Sequence, residues 1–138
     1  MRLDEITTYY ERLCAEETLA FMFLWLCDVF KVVEEVPNTG ARLVDVFSQL
    51  IRHKTKLTVA GKITTGADVK SVLNAGVDFV ALGRAGILHH DWPQKFAADA
   101  DFQSIPTPVT KAHLTNEGLG PKFVSYMSTW AGFVQESA

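Results

Sequence analysis

KLTVAGKITTGADVKSVLNAGVDFVALGR, residues 56–84, holds two short apolar runs on either side of a helical pattern, each stopped by a glycine and a cation. Leu57-Thr58-Val59-Ala60 leads into Gly61-Lys62, and Val77-Asp78-Phe79-Val80-Ala81-Leu82 leads into Gly83-Arg84. Short runs that are apolar on both alternating faces are the pattern of strands covered on both sides in a parallel sheet. Between them, Thr65-Gly66-Ala67-Asp68 has the spacing of a capping box. The helix it opens runs through Val69, Val72 and Leu73 to Gly76, a residue suited to the left-handed cap. Strand, helix, strand with short links is a right-handed βαβ unit.

The same alternation extends upstream. After the turn-forming cluster Pro37-Asn38-Thr39-Gly40, residues Leu43, Val46, Phe47, Leu50 and Ile51 fall on one helical face. The run LAFMFLWLC, residues 19–27, again reads as a strand covered on both sides, although a buried helix of this composition has the same pattern. Leu3, Ile6, Tyr9 or Tyr10, Leu13 and Cys14 give an apolar stripe on a first helix that ends before Thr18. The expected sheet has Leu57–Val59 and Phe79–Leu82 as parallel neighbours. Phe21–Leu26 is expected beside Leu57–Val59, with the Leu43–Ile51 helix as crossover. From Ile87 onward the pattern weakens into a polar tail divided by prolines, with one expected helix at Pro121–Trp130.

With 138 residues, 48% hydrophobic and 21% charged, the chain has the size and composition of one soluble domain. A net charge of −3 gives no broad basic field, so neither a nucleic-acid nor an anionic-membrane partner is expected. The longest apolar run, Leu19–Cys27, is nine residues, well short of the ~20 that cross a bilayer. The start, MRLDEITTYY, lacks the basic-then-apolar order of a signal peptide. Cys14 and Cys27 have no CxxC spacing and read as buried apolar thiols, which makes a reducing cytoplasm the simplest setting.

In parallel sheets, ligands sit beyond the carboxyl ends of the strands, which is where Gly61-Lys62 and Gly83-Arg84 fall. A glycine lets backbone N–H groups approach an anion, and Arg84 carries a fork matched to phosphate oxygens. The four residues read as a phosphate cradle; the alternative at each position is a plain turn glycine followed by a solvated cation. His89 and His90 are adjacent and poorly placed to share a metal, with His53 and His113 far along the chain, so no metal is expected. Asp91-Trp92-Pro93 has the form of a helix start with proline in the first turn.

KLTVAGKITTGADVKSVLNAGVDFVALGRAGILHHDWPQKF, residues 56–96, closely resembles the last two strand–helix units of the old yellow enzyme and NADH:flavin oxidoreductase family. ERLCAEETLAFMFLWLCDVFK, from Glu11, resembles a preceding helix and strand, and FVSYMSTWAGFV, from Phe123, a family C-terminal tail. The resemblance implies the C-terminal part of a (β/α)8 TIM barrel: about three parallel strands with crossover helices over residues 1–96 and a tail over 97–138, one partial FMN-binding domain. It implies that Gly61, Lys62, Gly83 and Arg84 hold the FMN phosphate, with NAD(P)H as the parent enzyme's hydride donor. Lys62 stands where relatives usually have glycine or asparagine, and Phe23 and Trp25 where polar residues face the barrel. A barrel needs eight strands and about 250 residues. The His-His or His-Asn pair that holds the substrate carbonyl, the proton-donating tyrosine and the flavin-ring contacts therefore have no counterpart here, and no catalytic residue is assigned. The expected function is the flavin-phosphate portion of an ene-reductase-like enzyme, or alternatively a truncated, non-catalytic phosphate-binding or interaction module. Three parallel strands leave two open edges, so self-association through those edges is expected.

Overall fold

The computed structural model describes residues 2–16 and 18–135; positions 136–138 of the expected tail lie outside the described residues. The elements are α1 (Leu3–Ala15), β1 (Phe21–Trp25), α2 (Leu43–Ser48), β2 (Lys56–Ala60), α3 (Gly66–Asn74), β3 (Phe79–Val80), α4 (Arg84–Leu88), α5 (Trp92–Ala98), α6 (Lys111–Asn116) and α7 (Pro121–Met127). The described residues form a mixed α/β fold with one three-stranded parallel sheet in the order β1-β2-β3, the order and direction the sequence predicts. No helix of the described residues is long and apolar enough to cross a membrane. The described residues divide into two compact units. The first comprises those up to Ile63 together with Asp68–Leu82, and the second Thr64–Ala67 together with those from Gly83 onward.

In the first unit, α1 opens with Glu5 reaching back to the Arg2 backbone N–H at 3.0 Å and buries Leu3, Tyr10 and Cys14. Tyr10 packs edge-on against Phe47 of α2, and burial pushes its hydroxyl pKa up to about 12. Strand β1 pairs with β2 over five residues, from Phe21 opposite Lys56 to Trp25 opposite Ala60. Strand β3 continues the sheet with Phe79 opposite Thr58 and Val80 opposite Val59. Gly76 adopts φ +101° and closes the end of α3 with an N–H bond to Leu73, the left-handed cap its position predicts.

Asp78 ties β2 to the chain entering β3. Its carboxylate accepts from Arg52 Nη1 at 2.7 Å, Lys56 Nζ at 2.9 Å and the Leu57 backbone N–H at 2.9 Å. Arg42 does similar work between α2 and α3, with a bidentate pair to Asp45 at 2.6–2.7 Å and a bond to Ser71 Oγ at 2.7 Å.

Several expectations are corrected here. Neither β1 nor β3 is covered on both faces: Phe21, Phe23 and Trp25 of β1 and Phe79 of β3 are exposed. The residues buried in this unit, among them Leu57, Val59, Val44, Phe47, Val69 and Val72, leave one sheet face without apolar cover. β3 is also shorter than Val77–Leu82. Helix α2 stops at Ser48 rather than Ile51, whose N–H bonds to Glu11 Oε1 and whose side chain is exposed. Cys14 is buried as expected but Cys27 is exposed, because it follows the end of β1.

The second unit has its own core of Leu88, Val109, Leu114, Val124, Met127, Phe133 and Val134. Beside it, Trp92 stacks on Phe96 and meets Phe102 edge-on, with its indole N–H donating to Ser104 Oγ at 3.0 Å. The tail contains more helix than its sequence suggests, because α4, α5 and α6 are too short to show periodicity. Short helices depend on caps and packing: Pro93 sits in the first turn of α5, and Thr110 Oγ1 accepts from the His113 N–H at the start of α6. Helix α7 ends at Met127 instead of Trp130, where Ser128 bonds back to the Val124 carbonyl.

Candidate functional site

The three strands end side by side in the first unit, where Leu26 N–H, just past β1, bonds to Ala60 O of β2, and Ala81 N–H, just past β3, bonds to Val59 O. β2 passes directly into Gly61-Lys62. Gly61 has φ +146°, and its backbone lies so close to the residues after β1 that an added Cβ would stand 1.9 Å from the Leu26 carbonyl oxygen. This glycine is required by the approach of two backbones. Lys62 follows in the left-handed region at φ 52°, a conformation glycine and asparagine adopt most readily.

The Lys62 ammonium is committed to Asp28, with Nζ 2.9 Å from Oδ2. Asp28 also accepts the Phe30 N–H at 2.9 Å, and the bond from Lys62, foremost, holds its carboxyl below the usual aspartate range. An anion arriving at this turn meets backbone N–H groups and a cation, but also a carboxylate already paired with that cation. Among the described residues, the Gly61 and Lys62 N–H groups donate to no protein acceptor.

Gly83 and Arg84 belong to the second unit. Gly83 is the N-cap of α4, its carbonyl accepting from Gly86 and Ile87 N–H at 3.0 and 3.3 Å. An added Cβ would meet nothing within 4 Å, so its backbone is open to solvent. Arg84 is exposed and has no hydrogen-bond or ion-pair partner among the described residues. Taken singly, the Gly83-Arg84 turn fits an anion by backbone and by side chain, whereas the Gly61-Lys62 turn fits by backbone, with its side chain already engaged.

Two concavities of the first unit, about 290 and 150 Å³, lie on α1 and between α1 and α2, away from Gly61-Lys62. Both fall below the ~300–1,000 Å³ of sites that enclose a small molecule.

The second unit gathers histidines that the sequence sets apart. His113 lies 6.1 Å, ring to ring, from His89 and its Nε2 donates to the Leu88 carbonyl at 2.9 Å. His89 is buried, its Nε2 accepts the Ile105 N–H at 3.1 Å, and burial lowers its pKa, so it is neutral at physiological pH. The donor atoms of His90, Asp91 and Glu117 lie within 4.8 Å of one another. They are mutually satisfied: Glu117 accepts from both the ring and the backbone N–H of His90, and both Asp91 oxygens accept from Lys95. Burial raises the Glu117 pKa, but the His90 bonds outweigh it and leave the group below its ordinary value. A metal would have to displace Lys95; as built, the network fastens the turn before α5 to α6. Its only sequence signal is the pairing of His90-Asp91 with a distant glutamate, which spacing does not reveal.

Comparison of the chain with family models, curated proteins and solved structures returns no match.

Proposed function

We propose that the chain is the flavin-phosphate portion of an FMN-dependent oxidoreductase of the old yellow enzyme type, part of a (β/α)8 barrel. The observation that carries this reading is the parallel pairing of β2 with β3, with Gly61-Lys62 directly after β2 and Gly83-Arg84 following Ala81-Leu82 after β3. Those ends are where parallel α/β sheets hold ligands. In this reading, which follows the family resemblance, each turn taken by itself offers phosphate a backbone N–H, at Gly61 and at Gly83, with the Arg84 guanidinium free to add to the second and Lys62 to the first once an anion competes with Asp28. FMN, when bound, supplies hydride transfer from NAD(P)H to an activated alkene. The protein groups named here bind and orient it.

Calorimetric titration with FMN, inorganic phosphate and riboflavin tests this. FMN and phosphate are expected to bind and riboflavin, which has no phosphate, is not. Arg84→Ala should weaken binding about tenfold or more, since a hydrogen bond to a charged group contributes about 1.5–3 kcal/mol. Asp28→Asn should strengthen it by releasing Lys62 and removing a negative charge. Equal affinity for riboflavin and FMN, or none of these changes in the two variants, overturns the assignment. A second reading, a non-catalytic phosphate-binding or interaction module, is favoured by the uncovered apolar face of β1 and β3.

A further inference from the structure

The parallel register puts Phe21, Phe23 and Trp25 of β1, Lys56, Thr58 and Ala60 of β2, and Phe79 of β3 on one face of the sheet. Phe23, Thr58 and Phe79 form a row straight across all three strands. Phe21 is 63% exposed, Phe23 47%, Trp25 82% and Phe79 56%. Four large aromatic side chains on one side of three strands are an interface composition: aromatic and poor in charge. The one charged residue of the face, Lys56, has its ammonium bonded to Asp78 at 2.9 Å at the end of the strand.

We infer that this aromatic face is the contact surface for a second copy of the chain, the two sheets stacking face to face. Size supports that occupant. A fully buried aromatic covers about 150–250 Å², so the exposed portions of the four amount to roughly 500 Å² per copy. Two copies bury roughly 1,000 Å², the threshold of a specific interface. The face has no net charge pattern that calls for a complementary partner of another kind, and apolar aromatic surface is self-complementary. A two-fold axis lying between the sheets makes the contact isologous, so one row of side chains serves both partners. Stacked sheets sit about 10 Å apart, a gap that side chains of this size fill from both sides.

The contact uses none of the four candidate anion-binding residues, so the oligomeric state is measured separately from the anion titrations. Light scattering on the full chain, over a concentration series spanning the micromolar range, reads it out. The wild type should pass from monomer to dimer mass, with tryptophan emission shifting to shorter wavelength as Trp25 is covered. Trp25→Phe should keep the dimer and lose that shift. Thr58→Glu places a charge at the centre of the face while leaving the backbone of both sheet edges unaltered, and should weaken the dimer about a hundredfold. If Thr58→Glu loses its native far-ultraviolet circular dichroism, Trp25→Ser, at a position already largely exposed, takes its place with the same expectation. A wild type that stays monomeric throughout overturns the inference. So does a folded Thr58→Glu chain that dimerises as well as the wild type, since that would move the contact to the strand edges.

Discussion

Gly61 and Gly83 stand in the same place in the sequence, each after a strand and before a cation, yet they are there for different physical reasons. At Gly61 a methyl group would run into the Leu26 carbonyl, while at Gly83 it would enter open space. Gly61→Ala should therefore destabilise the chain by about 3 kcal/mol or more, and Gly83→Ala by less than about 0.5 kcal/mol, measured by urea unfolding. Equal costs at the two positions would contradict the geometry. Asp78 makes a second residue-scale case. Burial raises its pKa, but the bonds from Leu57 N–H, Lys56 and Arg52 outweigh it and bring it to about 2. The folded value lies below the ordinary 3.8, so the stabilisation is present above about pH 4 and is lost as pH falls toward 2, on the order of 2 kcal/mol. Unfolding midpoints between pH 5 and pH 2 should show that loss in the wild type and a much shallower one in Asp78→Asn.

Elements were legible in proportion to their length and to how much of their pattern is local. α1 and α3 carry enough turns for an apolar stripe, and both match their expected spans closely. α4, α5 and α6, of five to seven residues, are decided by caps and tertiary cover, which periodicity cannot register. α6 is a clear instance: the Thr110 hydroxyl accepts the His113 N–H, and Leu114 is fully buried in the core of the second unit. Thr110→Ala should cost about 1 kcal/mol by loss of the cap. Thr110→Ser should recover most of it, both read from denaturant midpoints. A cost no greater than that of a surface substitution would mean that packing alone holds α6.

At the scale of the whole molecule, the three strands of the sheet provide no group placed against a flavin ring by anything beyond the candidate anion turns. If the chain holds FMN by its phosphate as proposed, the flavin ring is left without fixed orientation, whereas turnover needs near-attack geometry. The purified chain should therefore be colourless and, with added FMN, NAD(P)H and an activated alkene, consume NAD(P)H no faster than free FMN. A yellow monomer with turnover well above that background would show that the chain orients the flavin by itself.

Strand order, strand direction, the βαβ connection and the Gly76 cap were determined by the sequence, because alternation, helical spacing and turn residues act over a few neighbours. The two glycine–cation turns, Gly61-Lys62 and Gly83-Arg84, were legible as turns for the same reason. Tertiary structure alone decided which face of the strands is covered, since a run apolar on both sides reads identically whether or not anything packs against it. It alone separated a glycine required by Leu26 from one open to solvent, and engaged Lys62 with Asp28, thirty-four residues away. These depend on groups distant in the chain meeting at van der Waals or hydrogen-bond distance, and no local pattern encodes that.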